Sequence, residues 1–333
     1  MDRVAIAWTG AQLDLIGELA MKGKKMAVIQ MGGGQLDVGT PHPQRRLQNQ
    51  VALSYHQNWS RTDLLSQSSP IVSNPNISAL VWGGVPGQDG GPAMFDVLTG
   101  AVPPAGRLPT TQYPSIYTQQ VPMTNMSLRP GENNPGRTYK WYNGSAVFEF
   151  GTGLHYTNFS ASFTKPLAKQ NISISSLIAG CTLPHKEDCA FHTFDVQVKN
   201  TGKKSPAASN TTTSDYVALG FLAGKFGPAP YPKKSLVAYQ RLHSIAPGAH
   251  ATASLNLTMG SLARVDGMGN TVLYPGDYAL MVDTQPLTMV NFTLYGNATI
   301  LDLWPQPPAD RHQNGTYFIG GFDGYTETVL NAS

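Results

Sequence analysis

The sequence predicts an α/β open sheet followed by an all-β sandwich. Three observations carry that division. Two short apolar runs, at residues 25–31 (KMAVIQM) and 77–82 (ISALVW), each empty into glycines, as the buried strands of a parallel sheet do. Residues 11–22 and 92–98, beside them, have helical periodicity. Beyond residue 150 short strand-like runs recur at turn-marked intervals, the spacing of a sandwich.

In chain order, residues 11–22 form an amphipathic helix with Leu13, Ile16, Leu19 and Ala20 on one face. Residues 25–31 follow as a buried strand. Residues 77–82 read as a second strand, covered on both faces. The stretch that organises the first half is 82–110, WGGVPGQDGGPAMFDVLTGAVPPAGRLPT. Its glycines permit tight turns and close backbone approach. Asp89 is placed to cap a helix, Pro92 fits the first turn, Ala93, Met94, Val97 and Leu98 supply an apolar face, and Gly100 stops it. A loop at the carboxyl end of a strand is where open α/β sheets bind ligands. GxGxxG and GxxxxGK[ST] are both absent, so this loop is not a phosphate cradle. On these residues alone a purely structural glycine-rich turn is the other reading.

Residues 114–147, rich in Pro, Gly and Asn, read as a long ordered linker. Tyr139, Trp141 and Tyr142 within it either line a sugar site or anchor the linker to a domain surface. The sandwich strands fall at 194–198, 216–222, 251–257 and 276–282, punctuated by Asn200-Thr201-Gly202, Pro247-Gly248 and Pro275-Gly276.

Bulk properties narrow the function. With 41% hydrophobic and 13% charged residues over 333 positions, the composition is globular and large enough for two domains. A formal charge of +3 and no basic run interleaved with aromatics argue against nucleic acid. No apolar stretch is long enough to span a bilayer, so no membrane partner is expected. The eight histidines have no metal-ligand spacing and GxSxG is absent, so neither a metal nor any other cofactor is implied. Cys181 and Cys189 either form a disulfide in an oxidising compartment or remain free; the disulfide is favoured.

Compartment is indicated better by asparagine. Of 18 Asn residues 12 begin N-x-S/T: Asn58, Asn76, Asn125, Asn143, Asn158, Asn171, Asn210, Asn256, Asn291, Asn297, Asn314 and Asn331. Chance would give roughly three, so the chain reads as selected for N-glycosylation and secretion. Residues 1–23 nevertheless lack the basic start, apolar core and cleavage site of an export signal, and a truncated amino-terminal side is the expected explanation.

The motifs themselves resemble a known family. PGQDGGPAMFDVLTGAVPPAGRLPTTQYP, followed by GRTYKWYNGSAVFEFGTGLHYTNFSAS at 136–162, resembles the carboxy-terminal half of glycoside hydrolase family 3. QMGGGQLD, VPMTNMSLRPG and NPGRTYKWY are similar to its fungal xylan 1,4-β-xylosidase branch. NTG, DYVALGFL and PGDYALMV match the pattern of its last domain. The resemblance implies a partial α/β sandwich with a flavodoxin-like open sheet (1–113), a linker (114–150) and a fibronectin type III-like β-sandwich (151–333).

It also implies retaining hydrolysis by two carboxyl groups about 5 to 5.5 Å apart: a nucleophilic Asp in an amino-terminal barrel and an acid/base Glu in the α/β sandwich domain. Both are expected outside this chain, which then supplies no catalytic residue. It would meet a xylooligosaccharide substrate only through that missing amino-terminal domain, and would be inactive alone. Asp37, Trp82 and Asp89 are the candidates for the edge of the parent's substrate pocket. A non-catalytic carbohydrate-binding or scaffold module, and a fragment of a family 3 β-glucosidase, are the alternatives.

One stretch departs from the pattern. Residues 38–67 are aperiodic, and removing these 30 residues gives QLDSSPIVSNPNISALVW, the continuity the resemblance leads one to expect. They begin with Val and end with Gln, whose codons can supply the GT and AG of an intron boundary. The stretch is read as an anomalous insert, a retained intron translated in frame.

Overall fold

A computed structural model describes residues 10–23, 25–32, 71–72, 74–165, 167–204 and 212–305, with the backbone of two short strands at 316–318 and 329–331. The insert 38–67, Asp37, and the sequons at Asn58, Asn210 and Asn314 lie outside the described residues. At Asn331 only the backbone is described.

The first part has helix α1 (Gly10–Ala20), strand β1 (Met26–Met31), strand β2 (Ile77–Gly84) and helix α2 (Gly90–Thr99). β1 and β2 pair in parallel, Val28 opposite Leu80 and Gln30 opposite Trp82. Leu13 and Ile16 of α1 pack with Met26, Val28, Ile71, Ile77 and Leu80. Leu19, expected on that face, is 51% exposed. The described sheet is two strands wide and covers only the stripe through Leu13, Ile16 and Ala20. The same narrowness corrects the reading of β2 as covered on both faces: Ser78 and Ala79 are exposed.

Helix α2 ends as its sequence dictates. Gly100 takes φ 79° and donates its N–H to the Val97 carbonyl, a left-handed stop that glycine accepts without a Cβ clash. Its start differs from expectation. Asp89 occupies the cap position, but at ψ 9° its carboxylate makes no capping hydrogen bond; a capping side chain needs an extended backbone to reach the first free N–H groups.

The linker carries two single helical turns, Tyr117–Gln120 and Thr138–Trp141. Tyr113 stacks on Tyr117, and Tyr142 meets both edge-on. Buried Asn134 donates to the Ser127 carbonyl and accepts from Gly136 N–H. Gly136, at φ 88°, lies against the Trp141 carbonyl where no Cβ fits.

Two sheets face each other beyond it. One has the order β4 (Asn171–Ser173), β12 (Thr288–Tyr295), β11 (Gly276–Val282), β6 (Ser214–Phe226), β7 (Ser235–Ile245); the other has β3 (Thr157–Phe163), β5 (Ala190–Lys204), β8 (His250–Thr258). Alternate residues fill the space between: Phe194, Val196 and Val198 of β5, Leu255 and Leu257 of β8, Tyr216 and Leu222 of β6, Tyr278, Leu280 and Val282 of β11, Phe292 and Leu294 of β12. Each large side chain so buried contributes about 1.5–3 kcal/mol. A smaller sheet adds β9 (Arg264–Val265), β10 (Thr271–Leu273) and β13 (Thr299–Asp302), and β14 (Thr316–Phe318) pairs with β15 (Val329–Asn331). A disulfide joins Cys181 to Cys189.

The Asn200-Thr201-Gly202 signal does not end a strand. β5 runs through it, bulged where Thr157 and Phe159 pair with Lys204 and Asn200. Fully buried Asn200 holds the bend: it accepts from Thr157 Oγ1 and Gly202 N–H and donates to the Thr212 and Ile245 carbonyls.

Candidate functional site

The loop leaving β2 is built by close approach. Gly32 donates its N–H to the Gly84 carbonyl at 2.7 Å, closing the carboxyl ends of β1 and β2. Trp82, half-buried, lays its six-membered ring 3.3 Å from where a Cβ on Gly84 would stand. Pro86 sits where a Cβ on Gly90 would be. Asp89 projects from this rim and is exposed. Trp82, near the end of β2, and Asp89 thus flank one short loop; Asp37 lies outside the described residues.

Gln30, which sequence reasoning did not single out, is 1% exposed one residue before the end of β1, and neither its Oε1 nor its Nε2 has a hydrogen-bond partner among the described residues. A buried unsatisfied amide is costly, and here it lies where an open α/β sheet meets its ligand. A glutamine inside an otherwise apolar strand was the available signal.

The other polar cluster joins the two halves of the chain. Arg107, just downstream of α2, binds Asp283 Oδ2 at 2.7 Å and donates to the carbonyls of Val217 and Gly151. Tyr216 donates its hydroxyl to the same carboxylate oxygen at 2.5 Å. The Arg107 guanidinium lies over the Tyr216 ring, and His155 stacks on that ring from 5.5 Å. Burial, then the Asp283 charge, push the Tyr216 phenol up, so it remains a donor. Burial, then the Arg107 charge, push His155 down to about 4, against the Asp283 charge. This is a structural fastening between the loop after α2 and the sandwich.

The linker aromatics are anchors. Tyr139 stacks on Phe150, both rings meet Phe221 edge-on, and the Tyr139 hydroxyl accepts from Leu236 N–H. Tyr142 is buried, its phenol pushed up to about 12 by burial and the neighbouring Tyr113 and Tyr117. Trp141 pairs with Arg129.

Several of the described carboxylates are committed elsewhere. Glu149 pairs with Lys234, Asp195 with Lys165, Asp215 with Arg241 and His243, and Asp283 with Arg107. Hydrogen bonds hold Asp195, Asp215 and Asp266 below the usual carboxylate range, opposite to the shift a glycosidase general acid needs. Among the described residues there is no cluster of three or more metal-ligating side chains, and no helix is long and apolar enough to cross a membrane.

Seven of the eight sequon asparagines whose side chains are described are exposed: Asn76, Asn143, Asn158, Asn171, Asn256, Asn291 and Asn297. Asn125 is half-buried, its Oδ1 accepting from Ser127 N–H.

Comparison with known proteins gives a consistent result. The profile of the glycosyl hydrolase family 3 C-terminal domain matches residues 40–156, and that of the fibronectin type III-like domain matches residues 217–285. The chain is 45% identical over 314 residues to "Probable exo-1,4-beta-xylosidase bxlB" of Aspergillus fumigatus, a match covering 93% of this chain and 36% of that protein. It is 44% identical to "Probable exo-1,4-beta-xylosidase xlnD" of Neosartorya fischeri over the same shares. Among solved structures, a GH3 exo-beta-xylosidase (XlnD) in complex with a xylobiose aziridine activity-based probe superposes with a TM-score of 0.76 at 38% identity, covering 93% of this chain and 36% of that one. A beta-D-glucoside glucohydrolase from Trichoderma reesei, at 20% identity and a TM-score of 0.60 over 88% of this chain and 37% of that one, shares the fold. The chain therefore spans about a third of the length of the curated relatives it matches.

Proposed function

The chain belongs to glycoside hydrolase family 3, whose C-terminal and fibronectin type III-like domains it carries, and from that premise we propose that it serves as the carboxy-terminal part of a secreted xylan 1,4-β-xylosidase. The whole enzyme would release xylose from the non-reducing ends of xylooligosaccharides with retention of configuration. The observation that carries the choice of sugar is the gradient of identity: 41–45% to the matched exo-1,4-beta-xylosidases, against 20% to the glucohydrolase.

The chemistry is assigned to additional polypeptide. Retaining hydrolysis needs a nucleophilic carboxylate and a second carboxyl that first protonates the leaving oxygen and then activates water. The buried carboxylate described here, Asp283, is neutralised by Arg107, and Asp89 is an exposed rim residue. Trp82, Asp89 and buried Gln30 border the face where such a domain would present the sugar. The apolar residues left exposed around them, Met31, Val85, Phe95 and Leu98, support a further domain packing there. The exposed sequons support secretion.

The test is hydrolysis of a chromogenic β-xyloside and a β-glucoside by these 333 residues alone and by the same chain extended upstream. Xyloside turnover only in the extended form is expected. Turnover by the 333 residues alone would overturn the assignment of the carboxylates. Xylan binding without turnover in either form would favour the binding-module reading, and a preference for the glucoside would move the chain to the neighbouring branch.

A further inference from the structure

We propose that the groove between β7 and β8 is the bed of an N-linked glycan carried by Asn256, with Tyr239 as the platform on which its first sugar stacks. The inference rests on the secretory reading, not on the xyloside chemistry.

The groove has a volume of about 310 Å³ and is lined by Leu236, Val237, Ala238 and Tyr239 on one side and Ser254 and Asn256 on the other. Asn256 opens the sequon Asn256-Leu257-Thr258. Strand alternation fixes its direction: Leu255 and Leu257 are buried in the core, while Asn256 is exposed. Its Oδ1 accepts from Thr193 Oγ1 at 2.8 Å. That bond fixes the amide plane and leaves Nδ2, the atom that glycosylation modifies, without a hydrogen-bond partner among the described residues. The groove walls are held together independently of any ligand, since Gln240 Oε1 accepts from Ser254 N–H at 2.7 Å.

Tyr239 supplies the second observation. It is 72% exposed, although it stands on a strand whose neighbours Leu236, Val237 and Ala238 are half-buried. An aromatic ring facing water beside a short apolar wall presents the surface that the C–H face of a pyranose covers, and the Ser254 hydroxyl, which donates to Asp195, keeps acceptor capacity for a sugar hydroxyl or acetamido N–H. The modification is a glycosyl transfer from a lipid-diphosphate-linked oligosaccharide. The bond from Nδ2 to the sugar C1 forms, the C1–O bond to the diphosphate breaks, and Nδ2 gives up a proton.

The full chain, secreted from a eukaryotic host behind a supplied leader, tests this. Glycopeptide mass spectrometry reads occupancy, and native digestion with an endoglycosidase that cuts within the glycan core reads protection. Asn171 on β4 and Asn291 on β12, both exposed, are internal controls. Asn256 should be occupied and its glycan released severalfold more slowly than theirs, because a core sugar stacked on Tyr239 is less open to the enzyme. Tyr239→Ala should remove the difference and Tyr239→Phe should keep it. A bare Asn256 beside modified Asn171 and Asn291, or equal release rates, would overturn the groove while leaving the secretory reading intact. A secreted chain with every sequon bare would overturn both. Free xylobiose bound in the groove of unglycosylated chain, and lost in Tyr239→Ala, would reassign the groove to a soluble sugar.

Discussion

Arg107 and Asp283, 176 positions apart in sequence, meet in an ion pair of 2.7 Å whose side chains retain only 9% and 11% of their exposure. One residue lies in the loop after α2 and the other at the end of β11, so the pair ties the family 3 domain to the sandwich. Asp283 holds a left-handed backbone at φ 81°, unusual for a residue with a side chain. Its Oδ1 accepts from Thr284 N–H and its Oδ2 from Tyr216 and Arg107.

Removing one partner from such a pair leaves an uncompensated buried charge. Asp283→Ala should cost about 3–5 kcal/mol, and Tyr216→Phe about 1.5–3 kcal/mol for a hydrogen bond to a charged group. Thermal or denaturant unfolding checks both. The double variant Arg107→Ala with Asp283→Ala should lose clearly less than the sum of the single changes; simple additivity would show that the pair contributes nothing as a pair.

His155 gives the fastening a pH dependence. Its folded pKa of about 4 lies below the ordinary 6.5, so the unfolded chain binds the proton more readily. Its contribution is complete above pH 6.5, declines as pH falls, and is fully lost below about 4, a total on the order of 3 kcal/mol. The groups facing it are Arg107, Asp283 and Tyr216. His155→Gln should flatten the melting temperature between pH 4 and 6.5 relative to wild type. An unchanged slope in that window would place the acid sensitivity elsewhere.

Gln30 separates fold from function. Replacing a buried, unpartnered amide by an apolar group of similar shape removes a desolvation cost, so Gln30→Met should leave the stability unchanged or raise it by about 1 kcal/mol. If Gln30 borders the sugar site, the same change should raise KM for a β-xyloside in the complete enzyme while the fold is retained. Loss of stability would mean that the amide has a partner in the native protein.

Asn200 carries four hydrogen bonds at a bulge. Asn200→Ala removes all four of these bonds at a fully buried position, and a cost of about 2–4 kcal/mol is expected in unfolding experiments.

Much of this was legible locally. β2, α2 and its Gly100 stop follow from a short apolar run, a helical period and a glycine in the right place, and β11 from alternation between Gly276 and Val282. What failed depended on neighbours. Leu19 and Ser78 took their exposure from the width of the described sheet, Asp89 lost its capping role to a backbone angle, and Asn200 looked like a turn because Gly202 follows it. The Arg107–Asp283 fastening has no local signature at all, since its partners become adjacent only when both domains are folded. Gln30 was readable as a polar residue in an apolar strand, but its lack of partners was not.

Residues 38–67 make the last prediction. β1 ends at Met31 and β2 begins at Ile77, so 45 residues connect two adjacent parallel strands. Without the 30 residues, 15 would remain. Parallel neighbours need a crossover of a dozen or more residues, and 15 residues reach roughly 50 Å extended, well beyond the about 20 Å length of a six-residue strand. The shortened connection is therefore sufficient, and Ile71, buried at 1% beside Val28, would still lead into β2. The family domain match runs from residue 40 and spans most of this stretch, so it does not separate an insert from a genuine crossover; sequencing mature transcripts does, and the 90 nucleotides are expected to be absent. A protein lacking 38–67 should then be at least as stable as the full chain. Transcripts that consistently retain the segment, together with destabilisation on deleting it, would establish it as a genuine part of the crossover.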